Sequence, residues 1–192
     1  MTRLESKGKH PDTGQRLWKL HLLKVEAAIL RGLPEQLRQL LANPDNNRPV
    51  VDRLFPVSYA DPEEERENRR LLGQGLLEER QHLLDLMDAE MLRAEPSESQ
   101  TDSGDQADQG DQADKGDQAG VALELDAAQL DLWLRFVNDV RLVLATDLGM
   151  DSADSGPDST ADPQPPEDPK RALLEYLGGL ESILVEAARQ DF

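Results

Sequence analysis

Apolar residues recur at helical spacing in four stretches of the chain and at every second position in one. From Arg16, Trp18, Leu20 and Leu22 alternate with Lys19 and His21. That period of two predicts a short strand or an extended arm. The sequence offers it no second alternating run, so the arm reads as leading straight into the first helix. Leu33, Leu37, Leu40 and Leu41 then give a helical stripe over about 24–42. Pro34 lies inside it, where its ring predicts a kink or a restart at Gly32-Leu33-Pro34-Glu35. Asn43-Pro44 ends the stripe and opens a loop over 43–62 rich in Asn, Asp and Pro.

A second helix is expected from Asp61-Pro62 to about Leu92. Asp61 is the N-cap, and Glu63, Glu64 and Glu65 sit in the first turn, where the helix dipole favours negative charge. Leu72, Leu76, Leu83 and Leu86 with Met87 form its apolar face. Gly73 and Gly75 each weaken a helix by about 1 kcal/mol relative to Ala. A third helix spans about Asp126 to Leu148. Leu130, Trp133, Leu134, Val137, Val140, Leu144 and Leu148 run along it, with Leu132, Phe136 and Val143 on a second face. A helix apolar on more than one side belongs in the middle of a bundle, so Trp133 is expected to be buried. The fourth helix, about Lys170 to Ala188, shows Leu173, Leu177, Leu180 and Leu184 on one face.

Between these helices lie two stretches without apolar periodicity. Gly104-Asp-Gln-Ala-Asp-Gln recurs as Gly110-Asp-Gln-Ala-Asp-Lys and again from Gly116. No residue of the repeat larger than Ala is apolar, so it has no face to bury and is expected to be disordered. A calcium-binding solenoid would need Gly-Gly turns and a regular apolar position, which the repeat lacks. Residues 151–169 are rich in Asp, Ser and Pro and read as a second flexible linker. The fold expected from these patterns is all-α: a small bundle of about four helices with two long acidic disordered linkers. Its divisions are a disordered N-terminus (1–15), the first half of the helical domain (16–93), an acidic linker (94–120), a central helix (121–150), a Pro/Asp-rich linker (151–169) and a C-terminal helix (170–192).

Charge sharpens this division. The net charge is −18, and the two linkers carry −7 and −6 of it, so most of the acidity sits in segments that need not fold. Only residues 1–24 are basic, at +4. Contact with duplex DNA needs a basic face, and this arm is the one candidate. The chain has no cysteine, which excludes disulfides, thiolate metal sites, a Cys nucleophile and thiol redox switching. No secretory signal opens the sequence, and no run approaches the roughly 18 apolar residues of a membrane helix. The chain reads as cytosolic.

Catalytic patterns are thin. Glu79-x-x-His82 matches half of the ligand set of a carboxylate-bridged di-iron bundle, but neither His10 nor His21 has a Glu three residues before it. Gly73-Gln74-Gly75 lacks the third glycine and the preceding strand of a nucleotide loop. No nucleophile elbow or zinc spacing is present, and no cofactor is expected. Polar residues stand out on the third helix, where Arg135 is four residues from both Asp131 and Asp139, and Asn138 and Arg141 share the next turn. They form either a structural ion-pair cluster or an anchor for a partner. Arg53, Phe55 and Tyr59, around Pro56, make a second candidate contact surface. Aromatics are only 4% of the chain, so Phe55 and Tyr59 serve either the core or an interface.

Three blocks carry a family resemblance: Leu30-x-x-Leu33-Pro34-x-Gln36-Leu37-x-x-Leu40-Leu41, Arg53-Leu54-Phe55-Pro56-Val57-Ser58-Tyr59, and Trp133 through Leu144. Together they resemble an actinobacterial domain-of-unknown-function family, some members of which are the oxidative-stress transcription regulators called AosR. The resemblance implies an all-helical, non-enzymatic regulator acting through an extracytoplasmic-function sigma factor or RNA polymerase. Thiol sensing, part of that picture for some members, is impossible here without cysteine, and Ala145 stands where a glycine is usual. Arg53, Phe55, Tyr59, Arg135, Asn138, Asp139 and Arg141 are the candidate interaction residues. Direct DNA binding through the basic arm, or a helical scaffold role, is the alternative.

Overall fold

The computed structural model describes residues 2–11, 13–97, 120–150 and 168–190. It corrects the all-α expectation. Five helices pack with a four-stranded antiparallel sheet of order β1-β2-β4-β3 among the described residues. The strands are β1 (Arg3–Lys9), β2 (Arg16–Leu23), β3 (Glu95–Ser97) and β4 (Gly120–Leu125). The helices are α1 (Lys24–Ala42), α2 (Arg48–Leu54), α3 (Pro62–Leu92), α4 (Ala127–Asp147) and α5 (Pro169–Arg189).

The alternation of Trp18, Leu20 and Leu22 does form a strand, and it does have partners. β2 pairs with β4, Trp18 opposite Leu125 and Leu20 opposite Leu123. β4 buries Ala122, Leu123 and Leu125 and leaves Glu124 outside. Its short VALEL run merges in sequence with the apolar start of α4, which hides its period of two. On the other side β2 pairs with β1, so residues 3–9, assigned above to a disordered N-terminus, are an edge strand. That strand is polar because only Leu4 packs against the core, and it is held by backbone ladder bonds and by cross-strand charges such as Lys7 with Glu124. Gly120 starts β4 where a Cβ would come within 2.4 Å of the Leu22 carbonyl oxygen, so only glycine fits. Most of the repeat stretch and of the Pro/Asp-rich linker lies outside the described residues.

The helix boundaries follow their caps. Asp61 accepts hydrogen bonds from the Glu63 and Glu64 N–H groups, at 2.7 and 3.1 Å. Asp126 and Gln129 form a reciprocal capping box on α4. α1 runs unbroken through Pro34, whose ring is buried beside Leu33 and Leu37, so neither a break nor a restart occurs there. α2 lies inside the segment read as a loop, where Pro49 occupies the first turn of a helix and needs no N–H partner.

α4 is the centre of the molecule. It contacts α2, α3, α5 and β4, and Trp133, Phe136 and Val137 are fully buried. α1, α4 and α5 cover the sheet. α3 buries side chains in this core only in its last third, at Leu84, Met87 and Met91, while Leu77 and Leu83 pack against it partly buried. Glu90 there is buried but satisfied, accepting from Gln129 at 3.1 Å and pairing with Arg93 at 2.9 Å.

Candidate functional site

The first half of α3 stands away from the body and leaves a cleft between itself, α2 and α4. Its volume is about 540 Å³. The walls are apolar: Leu41, Val51 and Leu54 from the α1–α2 side, Leu76, Leu77 and Leu83 from α3.

Arg80 ties the three elements together at the floor. Its guanidinium lies over the Phe55 ring, 4.8 Å from the centroid, and donates to the Leu54 carbonyl at 2.6 Å. It also pairs with Asp139, a carboxylate only 6% exposed. A buried carboxylate on an apolar helix needs such a partner, and a planar guanidinium can serve carboxylate, carbonyl and ring together.

At the mouth, Arg69 donates to Glu65 at 2.7 Å and to the Phe55 carbonyl at 3.4 Å, and lies 3.8 Å from Asp52. Glu65 in turn accepts from the backbone N–H groups of Ser58 and Tyr59, at 3.0 and 3.1 Å. The Arg69 hydrogen bond, with help from those two N–H groups, holds the Glu65 carboxyl below its ordinary range. This one carboxylate fastens the 56–61 connection to the start of α3. On the opposite rim Arg135 pairs with Asp131 at 2.9 Å and approaches Glu79 at 3.8 Å.

Of the seven candidate residues, Phe55, Arg135, Asn138 and Asp139 line the cleft. Asp139 pairs across to α3 rather than along its own helix, while the Asp131–Arg135 pair forms as its spacing implies. Tyr59 is exposed on the outer side of α3, beside Glu63, Glu64 and Leu71. Arg53 is exposed and does not line the cleft. Arg141 points the other way and pairs with Glu181 of α5, so it belongs to the α4–α5 packing. Arg80 was absent from the candidates although the sequence holds a signal for it. It interrupts the stripe Leu77, Leu84, Met87 at helical spacing, where a charge must find a buried partner.

The cleft's carboxylates are engaged by arginines, and no histidine lines it. Glu79 is on the rim and His82 is exposed. Among the described residues no group of three or more His, Asp or Glu is placed to hold a metal ion. None of the described helices is long and apolar enough to cross a membrane. An apolar trough with a rim of mixed charge suits apolar side chains presented by a polypeptide.

Residues 2–188 match a family described as a domain of unknown function, DUF2017, and the chain belongs to that family. No curated protein and no solved structure matches it.

Proposed function

We propose that this DUF2017 chain is a non-enzymatic interaction module of the cytosol, which docks a segment of a protein partner in the cleft between α2, α3 and α4. The observation that carries the reading is the cleft itself: about 540 Å³ of apolar trough, open to solvent, with its charged rim held in shape by Arg69 and Arg135 and its floor by Arg80. A pre-organised apolar trough lowers the cost of ordering on binding. The resemblance to AosR-type regulators supplies the partner class, an extracytoplasmic-function sigma factor or RNA polymerase, with no cysteine chemistry involved.

DNA contact through the basic arm has less support. Lys7 faces Glu124 and Arg3 lies 3.1 Å from Glu5, so part of the arm's charge is met by carboxylates of the sheet.

Titration of the purified chain against purified sigma factors and core polymerase, by calorimetry, tests the proposal. Asn138 is exposed and lines the cleft, so Asn138→Arg should leave melting unchanged and weaken binding about tenfold or more, a loss of about 1.4 kcal/mol. No binding to either partner, or binding indifferent to Asn138→Arg, would overturn it.

A further inference from the structure

The fold treats the cleft's charges and its uncharged polar groups differently. Three arginines and three carboxylates line it, and all six are engaged: Arg69 with Glu65, Arg80 with Asp139, and Arg135 with Glu79. The lining is therefore neutral, in a chain that carries −18 overall. A charged side chain entering it would compete with these pairs, and a carboxylate such as Asp139 left without its partner is destabilising. Ser58, Asn68 and Asn138 also line the cleft, and their side chains make no hydrogen bond among the described residues. Asn68 stands on the α3 wall and Asn138 on the α4 wall.

A side-chain amide offers a carbonyl acceptor and N–H donors, the complement of a peptide group. A helix uses its peptide groups in its own ladder. A helical occupant would therefore cover both asparagines with apolar side chains and leave their amides unpaired, at a desolvation cost. An extended segment keeps its N–H and C=O groups available along its length. It also points alternate side chains to opposite sides. One set would enter the apolar trough while the main chain runs between the two asparagines.

Gly73 fits the same picture. It lies in the cleft wall, yet a Cβ there would meet nothing within 4 Å, so the packing of this chain gives no reason for a residue that weakens a helix. Glycine on that wall lets a second main chain come close. The chain's own linkers cannot supply the occupant, since 98–119 and 151–167 hold no apolar residue beyond Ala, Gly and Pro. We infer, resting on the docking proposal above, that the cleft takes its partner as an extended, uncharged apolar segment whose main chain hydrogen-bonds to Asn68 and Asn138.

The test pans a phage-displayed library of random peptides, about 12 residues long and roughly 40 Å when extended, on the full chain, with depletion on Asn138→Arg. The enriched peptides should carry apolar residues at every second position, with no charge among them. Calorimetry with an enriched synthetic peptide then reads the asparagines. Asn68→Leu and Asn138→Leu should each weaken binding about fivefold, the net contribution of one hydrogen bond, with melting unchanged. Ester replacement of successive peptide amides should find positions that lose about as much against the wild type and nothing more against one of those variants. Gly73→Ala should raise the melting temperature, as helix propensity dictates, and weaken the peptide at least about fivefold. Enriched peptides with apolar residues at helical spacing, or binding indifferent to both asparagines and to ester replacement, would overturn the inference and leave the docking proposal standing. A library with no peptide that separates the wild type from Asn138→Arg would overturn both.

Discussion

α4 and the first half of α3 are built from similar material and end in opposite surroundings. Both are capped by an aspartate, both carry leucines at helical spacing, and both hold arginines between them. α4 buries eight of its 21 residues, whereas α3 buries four of 31, all from Leu84 onward. The difference lies in neighbours. α4 is surrounded by α2, α3, α5 and β4. The start of α3 is held to the body through Glu65 and Arg69, both by polar contacts. Periodicity establishes that a helix forms. How many of its faces are covered depends on which other elements reach it.

Trp133→Ala should break the comparison from the α4 side. The indole is fully buried, so the loss should be about 3–5 kcal/mol, read as a lower urea midpoint. Leu72→Ala should stay within about 0.5 kcal/mol. Equal losses at the two positions would erase the distinction between the helices.

Asp139→Ala probes the join between them. Its removal leaves the Arg80 guanidinium in the cleft floor without its carboxylate. A charged hydrogen bond of this kind contributes about 1.5–3 kcal/mol. Adding Arg80→Met should return part of that loss, and a double-mutant cycle measures how much. Strictly additive losses would show that the pair does not couple α3 to α4.

The smallest effect is a pH dependence confined to α3. The carboxyls of Glu65 and Glu67 are held below the ordinary carboxylate range, first of all by hydrogen bonds from Arg69 and Arg70. A lowered folded value adds stability that is present above the unfolded value and is lost as pH falls through the folded one. Acid should therefore loosen residues 58–70 before it disturbs α4. Amide shifts followed by NMR during acid titration should move first at Ser58 and Tyr59, whose N–H groups bond to Glu65. Simultaneous movement in α4 would contradict the assignment.

The long helices were legible because their caps and spacings are local. Asp61, Asp126 and the leucine stripes need no knowledge of the rest of the fold. The sheet was legible only at β2. Its partner β4 lies about a hundred residues away and merges into α4, and β1 has almost no apolar side to betray it. α2 was hidden because Asn, Asp and Pro around it also suit a loop. At the cleft, Asp139 and Arg135 could be found as charges on an apolar helix. Arg141 bears the same signature, yet it serves α5, since helical phase alone does not say which neighbour a polar residue meets.

The pairing of β2 with β4 also sets an order in time. Trp18, Leu20 and Leu22 leave the ribosome first, and the strand opposite them is made about a hundred residues later. At about 5–20 residues per second, that is an interval on the order of 5–20 s. Throughout it, a run of apolar side chains on an unpaired strand edge waits for its cover. The nascent chain is thus most prone to aggregate, and most in need of a chaperone, before the Gly120–Leu125 segment emerges.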